Sequence, residues 1–463
     1  MDFLSLLLGK RQRAARKITA FEGVPAMGLD ALASIAYGPE AALLALASSV
    51  AAAAMYARWL IAAVLVLLAL LYVTYRQAIG AYPDNGGAYA LTRRNLGEPA
   101  SLLAASALLI DYVLNAAVGI SAGVGALISV LPVLHAYTLS LCLAVLVLLT
   151  LLNLRGAMFS GRTLALPTYA FVGCFVIIIA FGLYHAVAAG GHPHALVAPH
   201  AGIAGAHPAN WWLLLRAFAV ACTATTGVEA VSNGIGAFRD PVQRYGRRTL
   251  TLIVAALALL LAGVGWLLPI YHITAMDQAQ PGYRSVLAQL AAAVGGQGVF
   301  YFLAMTVLLC VLMLSANTSF VALPRLCRSI AEDGYLPKNF VASGNRFGML
   351  VLATCAAVLL LVFGGITQRL VPLFTIGVLL GFTLSQLSLS LHWRRALRQQ
   401  GDWSTPAGLR LRLAINAFGA LVTAVVIAVA LVSQFSEGAW IALVAVPGAM
   451  ALMMMFRRRA QRG

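Results

Sequence analysis

The chain has 463 residues, of which 62% are hydrophobic and only 10% charged, with a formal net charge of +17. A soluble domain carries about 25% charged residues, so these proportions exclude an ordinary water-soluble enzyme and indicate an all-α polytopic membrane protein. The 31 Lys and Arg stand in short stretches between long apolar runs rather than along one face or tail, which argues against nucleic acid as a partner.

A spanning helix needs about 20 apolar residues to cross roughly 30 Å of hydrocarbon. Twelve segments meet this: 27–48, 53–75, 100–131, 134–152, 163–186, 209–236, 249–271, 298–323, 347–365, 370–392, 411–433 and 438–456. Ahead of them, residues 1–26 form a basic N-terminal segment. Its apolar run, Phe3 to Leu8, precedes the basic cluster and does not read as a cleavable leader. Between spans five and six, His192, His194, His200 and His207 lie in a loop rich in Ala, Gly and Pro, without the Cys or carboxylate that a metal site would add. A shorter run at 283–294 cannot span and is expected at the surface as part of a loop. The six Cys are scattered with no CxxC spacing, so neither a disulfide framework nor a zinc site is expected.

Orientation follows from the basic residues, which stay with cytoplasmic loops. With both termini inside, 27 of the 31 fall in inner segments, leaving Arg58, Arg216, Arg284 and Arg369 outside or near the outer surface. Arg216 reads as an interfacial anchor or gate residue. The expected location is therefore a bacterial inner membrane with both termini cytoplasmic.

Four carboxylates stand inside these spans without a basic partner: Asp30 and Glu40 in the first, Asp111 in the third and Glu229 in the sixth. A charge near the bilayer centre costs roughly 2.5–3.5 kcal/mol on insertion scales, so such residues face cavities and mark ion, proton or substrate paths. Two of the acids recur in matching sequence: Gly38-Pro39-Glu40-Ala41 and Gly227-Val228-Glu229-Ala230, five spans apart. Both copies carry helix breakers in mid-span. Interrupted helices at corresponding positions of two halves are the sequence mark of inverted-repeat transporters. Spans one to five (27–186) and six to ten (209–392) then form a 5+5 inverted repeat with helices 1 and 6 broken, and 411–456 and the tail 457–463 lie outside it. Unwound backbone supplies free carbonyls and amides, and Tyr37, Asn115, Thr225 and Thr226 add neutral oxygens. Asn115 lies one helical turn beyond Asp111 on the same face.

Each of these residues also has a plainer reading. A buried acid can serve only as a hydrogen-bond acceptor beside a backbone break, a reading that weighs most for Glu40, and Tyr37 can be packing alone. Glu40 and Thr225 are therefore carried as candidates for the cation path only. ATP-driven pumping is excluded because none of the three Lys (Lys10, Lys17, Lys338) stands in a P-loop.

Over most of its length the chain resembles the KUP/HAK/KT potassium-uptake family of the APC superfamily, and within it the KimA-type importers. The resemblance is carried by Gly28 to Glu40, Tyr75-Arg76-Gln77 with Gly86-Gly87-Ala88-Tyr89, Leu109 to Leu114, Asn153-Leu154-Arg155-Gly156, Thr226 to Gly234, and Ala316 to Phe320 with Pro324-Arg325. It implies a LeuT-like fold and proton-coupled potassium import. It also implies that potassium is held by Asp30, Tyr37, Asp111 and Thr226, with Asn115 replacing the family's Thr, and that Glu229 couples protons. Potassium and protons are then cargo and the bilayer the surroundings, with no cofactor and no metal besides the transported ion. A homodimer is a candidate assembly, although the cytoplasmic domain associated with dimerisation in that family does not follow the last span here. The rival classes are an amino-acid or polyamine permease on the same fold and an uncoupled channel or sensor.

Overall fold

A computed structural model describes residues 17–47, 50–84, 86–156, 161–199, 210–399 and 406–460. Residues 1–16, His200, His207 and 461–463 lie outside them. The chain from Ala20 through the first predicted span (27–48) is in pieces: α1 (Ala20–Met27), which precedes that span, then α2 (Leu29–Ala33), a 3-10 turn at Ser34–Ala36 and α3 (Gly38–Ala45). Thr19 starts it with a capping box shared with Glu22. Continuous helices follow: α4 (Val50–Ala81), the short connecting α5 (Ala88–Leu96), α6 (Glu98–Val130), α7 (Thr138–Leu154) and α8 (Gly161–Ala188).

The sixth predicted span is again in pieces. Asn210 caps α9 (Trp211–Ala221), a 3-10 turn covers Cys222–Thr225, Thr226 is extended, Gly227 is left-handed, and α10 (Ala230–Asn233) resumes the helix. Then come α11 (Val242–Ile270), α12 (Val286–Gly295), α13 (Val299–Glu332), α14 (Asn339–Ala342), α15 (Arg346–Phe363), α16 (Thr367–Arg398), α17 (Pro406–Ser433) and α18 (Ala439–Ala460). Among the described residues there is no strand, only one parallel bridge in which Ile18 N donates to Ala237 O (3.0 Å) and Arg239 N to Ile18 O (3.1 Å).

Eleven helical segments among the described residues are long and apolar enough to cross a bilayer, from Met55–Ala81 to Ala439–Arg459. They match predicted spans two to twelve. The first is missing from this set because its interruptions leave no helix longer than eight residues. One expectation is corrected. The 283–294 run does form a helix too short to span, α12, but it is not at the surface: Val286 to Val294 are all buried. A helix that is apolar on every face has no side to give to water and sinks into the protein.

Burial separates a centre from a periphery. In the most apolar stretch of α16, 89% of residues are buried, and in that of α6, 78%, against 22% for α15 and α18. Around this centre α3 packs on α9, α2 on α13, and α1 on α8 and α11. The two interrupted spans meet through glycines. At Gly227 (φ 78°) a Cβ would stand 2.5 Å from Ala31 N and 2.9 Å from Asp30 Cβ, and at Gly38 it would stand 2.5 Å from the Ala224 Cβ. Each break therefore carries the glycine against which the other one lies.

Gly227→Ala is expected to lower stability by about 2 kcal/mol or more, from the left-handed backbone and the overlap together. Gly381→Ala in α16, where nothing stands within 4 Å of the added carbon, should lose none. Melting midpoints of the purified variants in detergent check the contrast.

Candidate functional site

The crossing of the two breaks brings three of the four predicted acids together. Asp30 on α2, Asp111 in the middle of α6 and Glu229 just before α10 lie within electrostatic reach of one another. All are buried, between 3% and 9% exposed. Among the described residues no ion pair involves any of them. Several kcal/mol are needed to hold each ionised carboxylate in such a place without compensation. The site therefore calls for protons or a cation.

Some of the compensation comes from hydroxyls. Thr226 Oγ1 donates to Asp30 Oδ2 (3.3 Å), and Ser315 Oγ on α13 donates to Asp30 Oδ1 (3.5 Å). Asn115 Nδ2 donates to Ser319 Oγ (3.1 Å), also on α13, which leaves the amide oxygen of Asn115 without a partner. Tyr37 Oη, Asp111 Oδ1 and Glu229 Oε2 are likewise buried and unpartnered. Tyr37 feels the charges of Asp30, Asp111 and Glu229 and stands beside Thr226. A Cβ at Gly377 of α16 would lie 3.8 Å from the Asp111 Cα, in ordinary van der Waals contact, so α16 runs alongside the acid. The result is a cluster of oxygens, several of them with unused lone pairs, enclosed by α2, α6, α13, α16 and the α9–α10 break.

The other two candidates go elsewhere. Thr225 turns its hydroxyl back to its own helix, at Cys222 O (2.8 Å). Glu40 is not in the cluster; its carboxylate accepts from Tyr283 Oη (2.6 Å), Val286 N (3.1 Å) and Gln368 Nε2 (3.3 Å). On the side of the cluster away from Glu40, Asn233 of α10 accepts from Ala88 N (3.1 Å) and donates to Tyr112 Oη (3.4 Å), while Ser232 Oγ donates to Gly86 O (2.7 Å). The chain around α5 thus covers Glu229 from that side. Arg216 pairs with Glu437 in the turn between α17 and α18.

Residues 28–456 match the family described as Amino acid permease. The chain belongs to that family. This permease is 37% identical over 453 residues to Potassium transporter KimA of Bacillus subtilis (strain 168), a match covering 95% of this chain and 71% of the relative. The family resemblance read from the sequence is thereby established, and the permease is a multi-pass membrane protein of the KimA type. Its fold is also similar to that of the manganese transporter of Eremococcus coleocola, solved in complex with an aromatic bis-isothiourea substituted compound. The TM-score is 0.50 and the identity 13%, over 96% of this chain and 97% of that one; at that identity the likeness concerns the fold alone.

Sequence reading missed three members of the site. Ser315 and Ser319 stand four apart, hence on one face of α13, in the polar stretch Ser315-Ala316-Asn317-Thr318-Ser319, and that spacing was the available signal. Ser34 gave no such signal: its Oγ lies 2.7 Å from Ala31 O and 2.8 Å from Ala224 O. It shares one proton between carbonyls of both breaks. Ser34→Ala leaves one of these buried carbonyls without its donor, and is expected to cost about 1–3 kcal/mol, seen as a lower melting midpoint without loss of expression.

Proposed function

We propose that this permease is a secondary active transporter that imports potassium together with protons, a K+/H+ symporter working by alternating access. The observation that carries the reading is the convergence of Asp30, Asp111 and Glu229 with unpartnered oxygens of Tyr37 and Asn115, in a buried space without a basic residue. Potassium is a hard cation served by carboxylate, hydroxyl and carbonyl oxygens. The relative KimA is called a potassium transporter, which points the same way.

In this reading Asp30, Asp111, Tyr37, Thr226 and the amide oxygen of Asn115 hold the cation, and Glu229 trades the proton. Ser315 and Ser319 position Asp30 and Asn115. Asp30, Tyr37 and Thr226 sit on the two interrupted spans and Asp111 and Asn115 on the continuous α6, so rocking of the interrupted spans against α6 opens the site to one face and then the other. The proposal includes residues 27–48 as a twelfth crossing, a 5+5 inverted repeat over 27–186 and 209–392 with 411–456 outside it, and cytoplasmic termini in a bacterial inner membrane. The same orientation puts the 271–298 connection outside and α5 inside.

An amino-acid permease is the second reading, favoured by the name of the matched family. It needs open backbone amides at the break to receive a carboxylate. Here the Gly227 backbone lies directly over Ala31 N, which takes up that space.

In proteoliposomes the unmutated protein is expected to take up rubidium or potassium. Asp30→Asn and Asp111→Asn should lower uptake at least about tenfold, the effect of some 1.4 kcal/mol of lost cation binding. Accumulation of leucine, with no rubidium uptake, would overturn the potassium reading. Glu229→Gln should retain potassium-for-rubidium exchange while losing accumulation driven by a proton gradient. Accumulation that persists in Glu229→Gln or under an uncoupler would overturn the coupling.

A further inference from the structure

Glu40 is a buried carboxylate that the ion site does not use, and its surroundings differ in kind from those of the other three acids. Every donor it meets belongs to a segment outside the broken spans. Tyr283 and Val286 come from the connection between α11 and α13, Val286 being the first residue of the buried helix α12, and Gln368 comes from the first turn of α16. Glu40 itself stands in the first turn of α3, three residues after Tyr37. One carboxylate thus ties the half of span one beyond the break to two elements that close over it.

The donors are themselves braced. Gln368 Nε2 also reaches Met276 O (2.6 Å), and Gln368 Oε1 accepts from Gln278 N (3.2 Å). Gln278 Oε1 accepts from Thr367 N (2.8 Å), and Thr367 Oγ1 reaches Ser121 Oγ on α6 (3.0 Å). Ser285, which caps α12, donates its N–H to Ser129 Oγ on α6 (2.9 Å). Beneath this network lies a cavity lined by Tyr37, Glu40, Tyr283, Ser285, Thr367 and Gln368 among others. Its wall thus holds both Tyr37 of the ion site and the groups bonded to Glu40.

We propose that Glu40 is the latch of the gate on this face: its carboxylate holds α12 and the start of α16 closed over the cavity, and releasing it opens the cavity, and so Tyr37, to the side of the 271–298 connection. All three contacts are donors aimed at an acceptor, so the latch needs a carboxylate. An amide at position 40 would turn an N–H toward at least one group that is itself a donor. Glu40 is accordingly a positioning residue that acts through α12 and α16. The inference relies on the transport reading only in taking this cavity as an approach to the ion site.

The test reads access and not transport, so it stands apart from the identity of the ion. In the full chain with the exposed Cys310 and Cys355 replaced by Ala, a cysteine is placed in the cavity wall (Ala126→Cys) or, as a control, beside Asn233 on the opposite side of the site (Ala88→Cys). Both positions are buried. The rate of labelling by a water-soluble maleimide is then compared across Glu40→Gln, Tyr283→Phe and Gln368→Glu. With the latch intact both cysteines should label slowly. In each variant labelling at 126 should rise at least about fivefold, the population shift expected from one lost hydrogen bond, while labelling at 88 does not rise. Tyr283→Phe removes a single hydroxyl and keeps the test alive if Glu40→Gln fails to fold. Unchanged labelling at 126, or a rise at both positions together, would overturn the proposal, the second outcome meaning that the substitutions merely loosen the protein.

Discussion

The crossing of the two interrupted helices, with Gly227 laid against Ala31 and Gly38 against Ala224, is the contact on which the rest of the molecule depends. A continuous helix satisfies its own backbone and offers an ion nothing but side chains. A broken one frees carbonyls and amides, which must then find partners away from water. Here local turns take up part of the backbone, and Ser34 sits between carbonyls of both breaks. Glycine is required at both contacts because any side chain would hold the two backbones apart. That close approach sets Thr226 against Asp30 and so fixes where the acids can gather.

Around this crossing the polar groups are graded. Asp30 has two hydroxyl donors and Glu229 backbone amides of its own turn, while Asp111 Oδ1 and Glu229 Oε2 have no partner, an arrangement of buried acids that costs stability. Glu40, equally buried, has its donors in place. The long helices carry smaller, closed pairs, such as Asn153 with Asn317 (2.6 Å) and Thr383 with Thr423 (2.8 Å), which join neighbouring spans at one register. The membrane-facing surface is otherwise apolar: Val66, Leu166 and Val187 are each at least 70% exposed.

Span positions were legible because crossing a bilayer imposes a length and an apolar composition that few other structures share. The breaks were legible because Gly38-Pro39 and Thr226-Gly227 cannot continue a helix comfortably. Which acids would meet was less so. Glu40 and Glu229 have the same local sequence, Gly-x-Glu-Ala, yet Glu229 lies in the cluster of acids and Glu40 is bonded to Tyr283, Val286 and Gln368, partners more than two hundred residues away in sequence. Nothing local distinguishes them. The burial of α12 is illegible for a related reason: shortness points to the surface, whereas the nearly uniform apolarity of Val286 to Val294 decides the matter.

The single bridge between Ile18 and Phe238 is the smallest regular feature of the fold. It joins the chain just before the first interrupted span to the chain just after the sixth, and Lys17 adds an ion pair with Asp240 at 3.4 Å beside it. Mechanically it is a crossbar. With their ends pinned to each other, α1 and the segment below α10 cannot swing apart on this face, so a displacement imposed on one is delivered to the other.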